Sequence, residues 1–144
     1  MDSDPDMSNS YRKGKYYEYQ LMWFLKKHGY YVIRAPASGR RGKRFFYPDI
    51  IAIKKGEILI IEAKMLTEPR GVYLDKDKVQ KLLWVAKVTG GKSYLGVYYK
   101  LHKKWFFVPI EKYQSETEKG FWYGYRHILE NSVNPVNTGE KRNA

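Results

Sequence analysis

The chain has 144 residues, of which 27 are lysine or arginine and 15 are aspartate or glutamate, so its formal net charge is +12. This length suits one domain with a single core, and the charge favours a polyanionic partner, nucleic acid before an anionic membrane surface. The absence of cysteine excludes disulfides and cysteine-ligated zinc. Without an apolar run long enough for a membrane span or a signal peptide, the sequence predicts a cytoplasmic protein.

The two ends of the chain differ from its middle in composition. Residues 1–10 and 131–144 are polar and lack hydrophobic periodicity, which predicts disordered arms on either side of one domain spanning 11–130. Within that domain, apolar residues recur at helical spacing over 11–28, and a short β-branched and aromatic strand follows over 30–34. This helix and this strand are expected to form the first part of the core.

A β-hairpin is predicted over 49–64, and both of its strands are apolar on both faces, which is typical of the centre of a sheet. If Lys55 and Gly56 form a two-residue turn, Asp49 and Glu62 stand directly opposite each other. Their Cβ atoms would then lie about 4.5–5.5 Å apart. A shift of one residue in this register would send one of the two acids to the other face.

Lys64 shares a face with Glu62 because side chains alternate along a strand, so Asp49, Glu62 and Lys64 converge at one end of the hairpin. Charges among apolar residues are costly unless something pairs them. A hard divalent cation between the two acids would pair them and would activate water for attack on a phosphodiester. The alternative is purely structural: Asp49 caps the loop after Pro48, and Glu62 pairs with Lys64 at a strand end.

The second half of the chain begins with a helix predicted over 75–89, which Asp75 would cap and Gly90 would end. Further elements are predicted as strands over 93–99 and 104–109 and a short peripheral helix within 115–131. The order of elements indicates an α/β fold, with a mixed sheet of about five strands flanked by helices.

Aromatic residues make up 17% of the chain, more than a core of this size needs. Trp105, Phe106 and Phe107 are consecutive in one predicted strand, and alternation prevents all three from entering one core. One face of that strand is therefore expected to meet another subunit, and Trp84, which departs from the apolar face of its helix, is a second candidate. Base stacking is the alternative use of such rings.

Several motifs in this sequence occur together in known nucleases. Pro48-Asp49 followed by Glu62-Ala63-Lys64 fits the PD-(D/E)xK nuclease pattern. The surrounding motifs are Arg12-Lys13-Gly14 before a helix with Glu18, Arg34-Ala35-Pro36-Ala37-Ser38-Gly39, Pro48-Asp49-Ile50-Ile51-Ala52 and Gly90-Gly91. In this order and spacing, the chain resembles the archaeal Holliday junction resolvase family, cellular and viral, over about 11–112.

The resemblance implies a restriction-endonuclease-like fold and a homodimeric, Mg²⁺-dependent endonuclease that cuts four-way DNA junctions symmetrically. Mn²⁺ would be able to replace Mg²⁺, and neither a membrane nor a small-molecule cofactor would be involved. The protein would act in the cytoplasm, or in the host cytoplasm if it is viral. Two alternatives remain: another repair or restriction-like nuclease on the same scaffold, and a protein that binds branched DNA without cutting it.

The same resemblance implies roles for individual residues. Metal ligands would be Glu18, Asp49, Glu62 and the backbone carbonyl of Ala63. Lys64 matches the catalytic lysine. Ser38 matches a loop serine linked to catalysis, and the basic positions Arg12, Lys13 and Arg34 match the surroundings of the active site. Many enzymes with this pattern carry a helical glutamine after the lysine, and here Lys78, rather than Gln80, lies nearer that position.

A basic loop follows Ser38, with four positive charges in five residues. Flanking glycines would let this loop adapt to DNA. Such side chains bind phosphates, fix the position of the duplex and do not read its sequence. The expected DNA-binding residues of this loop are Arg40, Arg41, Lys43 and Arg44.

Overall fold

The computed structural model describes residues 5–35 and 45–136, with side chains described from residue 14 onward. The secondary structure elements in chain order are α1 (Pro5–Lys27), β1 (Tyr31–Arg34), β2 (Ile50–Lys54), β3 (Glu57–Leu66), β4 (Val72–Asp75), α2 (Lys76–Thr89), β5 (Lys92–Tyr99), β6 (Lys104–Pro109), β7 (Ser115–Glu116), β8 (Gly120–Tyr123) and α3 (Tyr125–Asn131). None of the described helices has the length and apolar character needed to cross a bilayer.

A mixed five-stranded sheet with the strand order β1-β2-β3-β5-β6 forms the centre of the fold. Strands β3 and β5 run parallel, and the other neighbouring pairs are antiparallel. The predicted α/β fold, with a sheet of about five strands between helices, is therefore confirmed. The parallel pair requires a crossover between β3 and β5, and β4 and α2 lie in that connection.

The sheet is covered on both faces because its central strands are apolar on both faces. Ile60 of β3 belongs to a core formed with α2, whereas Leu59 and Ile61 belong to a second core formed with α1. Helix α1 buries Leu21 and Leu25 in that second core. The two helices therefore lie on opposite faces of the sheet, as the alternation of side chains along a strand requires.

The β2–β3 hairpin has the predicted register, with Lys54 opposite Glu57. Lys55 and Gly56 form the turn with φ angles of 44° and 84°. Two positive φ angles in a two-residue turn match the right-handed twist of the flanking strands, and glycine is favoured at such a position because it has no Cβ. This turn fixes which residues reach the far end of the hairpin.

Helix α2 begins and ends where the sequence predicts. The side chain of Asp75 accepts a hydrogen bond of 2.8 Å from the backbone N–H of Lys78, which caps the helix. Gly90 follows the last turn in the left-handed conformation, and its N–H donates to the carbonyl of Ala86. Asp75 is also the last residue of β4, so the same side chain ends a strand and starts the helix.

The termini of the domain differ from the prediction. Residues 5–10, expected in a disordered arm, are the first residues of α1, and proline suits a first helical position because it lacks an N–H to satisfy. At the other end, the N–H of Val133 donates to the carbonyl of Phe107, and Val136 is buried in the α1 core. The predicted C-terminal arm therefore includes packed residues up to 136, and 137–144 lie outside the described residues.

A second, three-stranded sheet with the order β4-β8-β7 was not predicted. The peripheral helix expected within 115–131 is confined to α3, and the preceding residues are strands. Strand β8 pairs with β4 closely enough that a Cβ at Gly120 would lie 2.5 Å from the carbonyl oxygen of Leu74. Glycine is therefore required there by the close approach of two backbones.

The rings of the aromatic strand β6 are divided between two cores. Trp105 and Phe107 lie against the α1 core, and Phe106 lies against the α2 core. Phe107 is buried, whereas Trp105 and Phe106 are half-buried, and contact of this strand with another subunit stays a prediction. Trp84 remains 60% exposed.

Candidate active site

The hairpin brings Asp49 and Glu62 to the same end of the central sheet. Asp49 directly precedes β2, and its Oδ2 atom accepts a hydrogen bond of 2.9 Å from the backbone N–H of Ala63. That bond ties the acid to the strand that carries Glu62. Lys64 lies two residues further along β3, and its Nζ atom is 3.8 Å from Oε2 of Glu62.

Glu62 is a buried carboxylate with one partnered and one unpartnered oxygen. Its exposed fraction is 2%, and Oε2 accepts a hydrogen bond of 3.2 Å from Nζ of Lys78 in α2. Oε1 is buried and has no hydrogen-bond partner among the described residues. Burying a carboxylate oxygen without a hydrogen-bond partner costs folding free energy. Oε1 of Glu62 is therefore the atom of this site that most clearly indicates a ligand-binding role.

Burial and the nearby Asp49 carboxylate raise the pKa of Glu62, although Lys78 and Lys64 oppose the shift. The pKa of Lys78 also rises. Its partial burial favours the neutral amine, but Glu62 first, then Asp49 and Asp75, favour the charged form by more. The charged form of Glu62 is therefore disfavoured by burial and by Asp49, and the positive charges of Lys78 and Lys64 only partly offset this effect.

Glu18 of α1 lies beside this group but has a different partner. Its Oε1 accepts a hydrogen bond of 2.9 Å from Nε of Arg34 in β1. Glu18 also lines an open cavity of about 450 Å³, together with Gly14, Ala63, Lys64, Met65, Leu66, Thr67, Arg70 and Trp105. Through this cavity a substrate can reach Lys64 and the part of β3 that follows Glu62.

The other predicted site residues lie in parts of the chain that the structure describes only as backbone or does not describe. Arg12 and Lys13 belong to α1, but their side chains are outside the described part of the chain. The basic loop lies in the gap between residues 35 and 45. The residues of that loop outside the described ranges are Ser38, Arg40, Arg41, Lys43 and Arg44.

The donors present fit a hard divalent cation in their chemistry. Asp49 and Glu62 offer carboxylate oxygens, and the unpartnered Oε1 of Glu62 is a ready ligand atom. Glu18 instead binds Arg34, and among the described side chains, in 14–35 and 45–136, no group of three acidic, histidine or cysteine residues is close enough together to hold a metal. The roles of Glu18 and of the Ala63 carbonyl as ligands therefore stay predictions.

Sequence reasoning did not predict the contact of Lys78 with Glu62. The two residues are 16 positions apart, and one is in a helix while the other is in a strand. The motif resemblance already implied a position for Lys78 near that of the helical glutamine in the nuclease pattern. That the amine reaches the carboxylate depends on how α2 packs on β3, and spacing alone does not give this.

Comparison with known proteins shows which family has this arrangement. The family model described as archaeal Holliday junction resolvase (Hjc) matches residues 9–134. The chain belongs to this family. The match extends beyond the 11–112 span of the predicted resemblance and includes α3 and the packed residues after it, up to 134.

Individual family members are similar over most of their length. A crossover junction endodeoxyribonuclease Hjc of Sulfurisphaera tokodaii is 36% identical over 114 residues, which is 79% of this chain and 76% of that protein. A crossover junction endodeoxyribonuclease of Sulfolobus islandicus rod-shaped virus 1 is 35% identical over 98 residues, 66% of this chain and 78% of that one. The family thus has cellular and viral members, as the sequence motifs suggested.

A solved structure agrees with the fold. The Archaeoglobus fulgidus Hjc, a Holliday junction resolvase, matches with a TM-score of 0.70 and 30% identity, over 85% of this chain and 91% of that chain. Both the predicted family and the predicted fold are therefore confirmed.

Proposed function

We propose that this chain is a crossover junction endodeoxyribonuclease, which cuts four-way DNA junctions by metal-dependent phosphodiester hydrolysis. The observation that carries the proposal is the buried Glu62, whose Oε1 is unpartnered and whose neighbours are Asp49 and Lys64. A buried acid with a purely structural role is expected to have both oxygens hydrogen-bonded, whereas a metal-binding acid needs one available. Because its substrate is recombining DNA, the proposal places the protein inside a cell.

Mg²⁺ is the proposed metal, with Mn²⁺ as a substitute. Asp49, Glu62 and the carbonyl of Ala63 would hold it, and Glu18 would join them. When bound, the ion polarises a phosphoryl oxygen and lowers the pKa of a water molecule. The protein supplies oxygen ligands, which such a hard cation prefers.

The proposed task of Lys64 is to orient the attacking water and to offset negative charge that develops on the phosphate. Its side chain is 41% exposed and lines the cavity, so it can reach a bound phosphodiester. Ser38 is proposed to help position that phosphate from the basic loop. No nucleophilic role is assigned to this hydroxyl, because no histidine and acid pattern accompanies it.

DNA binding is proposed to depend on positive side chains around the cavity. Arg34 stands at its edge, next to Glu18. Other contacts to phosphates are assigned to Arg12, Lys13, Arg40, Arg41, Lys43 and Arg44. Because phosphate contacts do not read sequence, junction preference would come from the shape of the DNA and the spacing of two active sites.

Two active sites require a homodimer, and the outward side of α2 is the proposed contact surface. Leu83, Trp84 and Val88 are 37%, 60% and 58% exposed there. Neighbouring exposed apolar side chains on one helix are typical of a protein interface. Sedimentation at micromolar concentration is expected to give a dimer, and Trp84→Glu is expected to give a monomer.

The experiment that tests the function compares cleavage of a four-way junction with cleavage of a linear duplex, with and without Mg²⁺. Junction cutting that needs Mg²⁺ is expected, with little cutting of the duplex. Equal cutting of both would instead indicate a less selective nuclease on the same scaffold. Asp49→Asn is expected to abolish cutting and to preserve junction binding.

The matched control is Asp77→Asn, which removes an exposed acid that pairs only with Lys81 among the described residues. This control is expected to cut normally. If Asp49→Asn still cuts in Mg²⁺, the site assignment is wrong. If the wild type binds junctions but never cuts them, the protein is a binder of branched DNA.

A further inference from the structure

Helix α1 exposes several aromatic rings, and two of them, Tyr19 and Trp23, border a surface outside the proposed metal site. Tyr19 and Trp23 are one helical turn apart and are 44% and 64% exposed. The helix already buries Leu21 and Leu25 in its core, so these rings are not needed to hold it on the sheet. Large exposed apolar side chains close together are typical of a binding surface.

The two rings border a hollow between α1 and β1, which we name the α1 hollow. Its volume is about 410 Å³, and it is lined by Tyr19, Met22, Trp23, Lys26, Tyr30, Tyr31 and Val32. This volume falls within the range of about 300–1,000 Å³ that is usual for small-ligand sites. Most of its lining is aromatic or aliphatic, which suits a flat, largely apolar ligand group.

Positive side chains stand directly over the rings. Nζ of Lys26 lies 5.0 Å from the centre of the Trp23 ring, and the guanidinium carbon of Arg34 lies 5.5 Å from the centre of the Tyr19 ring. Aromatic rings that stack on bases, with cations that bind the adjoining phosphates, are the two parts of a single-stranded nucleic-acid site. The α1 hollow has both parts.

The ion pair of Arg34 with Glu18 links the α1 hollow to the proposed active site. Arg34, which covers the Tyr19 ring, donates a hydrogen bond to Glu18, and Glu18 lines the cavity that contains Lys64. A strand that enters this cavity can therefore reach the α1 hollow across a single ion pair. A nucleotide close to the bond that is cut is thus the ligand nearest to the α1 hollow.

We propose that the α1 hollow binds an unpaired nucleotide of the DNA substrate, with its base on Trp23 and its phosphates towards Lys26 and Arg34. The proposal rests on the proposed function and extends it to branched DNA that carries unpaired nucleotides beside the cleavage point. A second copy of the chain is assigned instead to the exposed apolar side of α2, whereas Lys26 and Arg34 beside these rings favour an anionic ligand here.

The test measures binding of a short fluorescent oligo(dT) to the full-length protein by anisotropy at low salt, without a divalent metal. Trp23→Ala is expected to weaken binding roughly five- to a hundred-fold, the range for loss of one base–aromatic stack. Trp23→Phe is expected to retain most of the affinity. The matched control is Leu101→Ala, since that apolar side chain is 61% exposed in the turn between β5 and β6, outside both the α1 hollow and the proposed dimer surface, and its affinity is expected to equal that of the wild type.

Three results would overturn the proposal: no binding of oligo(dT) by the wild type, equal affinity for Trp23→Ala and the wild type, or the same loss for Leu101→Ala. A change in sedimentation of Trp23→Ala without DNA would also overturn it, in favour of a second copy of the chain. Failure of the proposed function is distinguishable, because it appears as absent cutting of a fully paired junction in Mg²⁺.

Discussion

The Nζ atom of Lys78 lies 3.2 Å from Oε2 of Glu62, closer than the 3.8 Å that separates the same oxygen from Nζ of Lys64. The nearer cation to the buried acid is therefore the helical lysine and not the lysine of the nuclease motif. This contact positions the carboxylate, holds one oxygen and leaves the other available. It also places a positive charge beside the proposed cation site.

Replacing Lys78 with glutamine is expected to tighten metal binding. The change removes a positive charge beside the metal ligands, and opposite or like unit charges 4 Å apart interact by about 1 kcal/mol even in water, which corresponds to about five-fold in affinity. Calorimetric titration of Mn²⁺ at mildly alkaline pH measures the effect without any cleavage.

The control for this substitution is Lys81→Gln on the same helix. Lys81 pairs with the exposed Asp77 and is not near Glu62 in the ion-pair network. Its metal affinity is expected to match that of the wild type. Unchanged or weaker Mn²⁺ binding by Lys78→Gln would show that the amine does not compete with the metal.

Glu62→Gln is expected to stabilise the metal-free protein at neutral pH. Burial and Asp49 raise the pKa of Glu62, so the folded state holds its proton more tightly than the unfolded state. Stability is therefore lost as pH rises from the ordinary value of 4.5 through the raised value. The neutral amide avoids this loss, and melting temperature would rise by roughly 2–4 °C for each kcal/mol recovered.

Melting curves recorded over the pH range between the ordinary and the raised pKa of Glu62 test this prediction. The advantage of Glu62→Gln is expected to shrink towards low pH, where the wild-type acid is also neutral. A further expected result is that Mg²⁺ stabilises the wild type and not the variant, because ligands raise stability through the state that binds them. A pH-independent difference between the two proteins would rule out the ionisation of Glu62 as its cause.

Junction binding is expected to weaken steeply with salt. The chain has a net charge of +12, and its proposed DNA contacts are to phosphates. A protein making about 6–10 phosphate contacts loses roughly a thousand- to a hundred-thousand-fold in affinity between 50 and 200 mM salt. Gel-shift or anisotropy titrations over this range give the slope directly. A flat response would mean that few phosphates are neutralised in the complex.

Val136→Ala is expected to destabilise the protein by about 1–2 kcal/mol. The side chain is 6% exposed in the α1 core, and the change removes two buried carbon atoms. Val133→Ala is the control, because that side chain is 46% exposed and its role is a backbone bond to Phe107. Chemical unfolding of both variants measures the difference, and equal stabilities would show that the end of the domain contributes nothing to the core.

The hairpin was predictable because local rules determine it. A turn with glycine, two apolar strands and a period of two are sufficient to place Lys54 opposite Glu57 and thereby to bring Asp49 near Glu62. The limits of α2 were predictable for the same reason, since Asp75 caps the helix and Gly90 ends it by interactions within a few residues.

Features that depend on distant parts of the chain were not predictable from patterns. Strand β4 has four residues, and its partner β8 lies more than forty positions away. The rings of β6 pack against two separate cores because α1 and α2 lie on opposite faces of the sheet, which no local pattern indicates. The approach of Lys78 to Glu62 has the same origin, because it depends on the packing of α2 against β3.

Asp75 connects the three-stranded sheet to the helix that carries Lys78. This residue pairs with Gly120 at the end of β4 and caps the helix that carries Lys78. The adjoining backbone is fixed as well, because the N–H of Lys76 donates to the carbonyl of Lys119. A shift of β8 would therefore move the start of α2 and, with it, the amine that holds the buried acid.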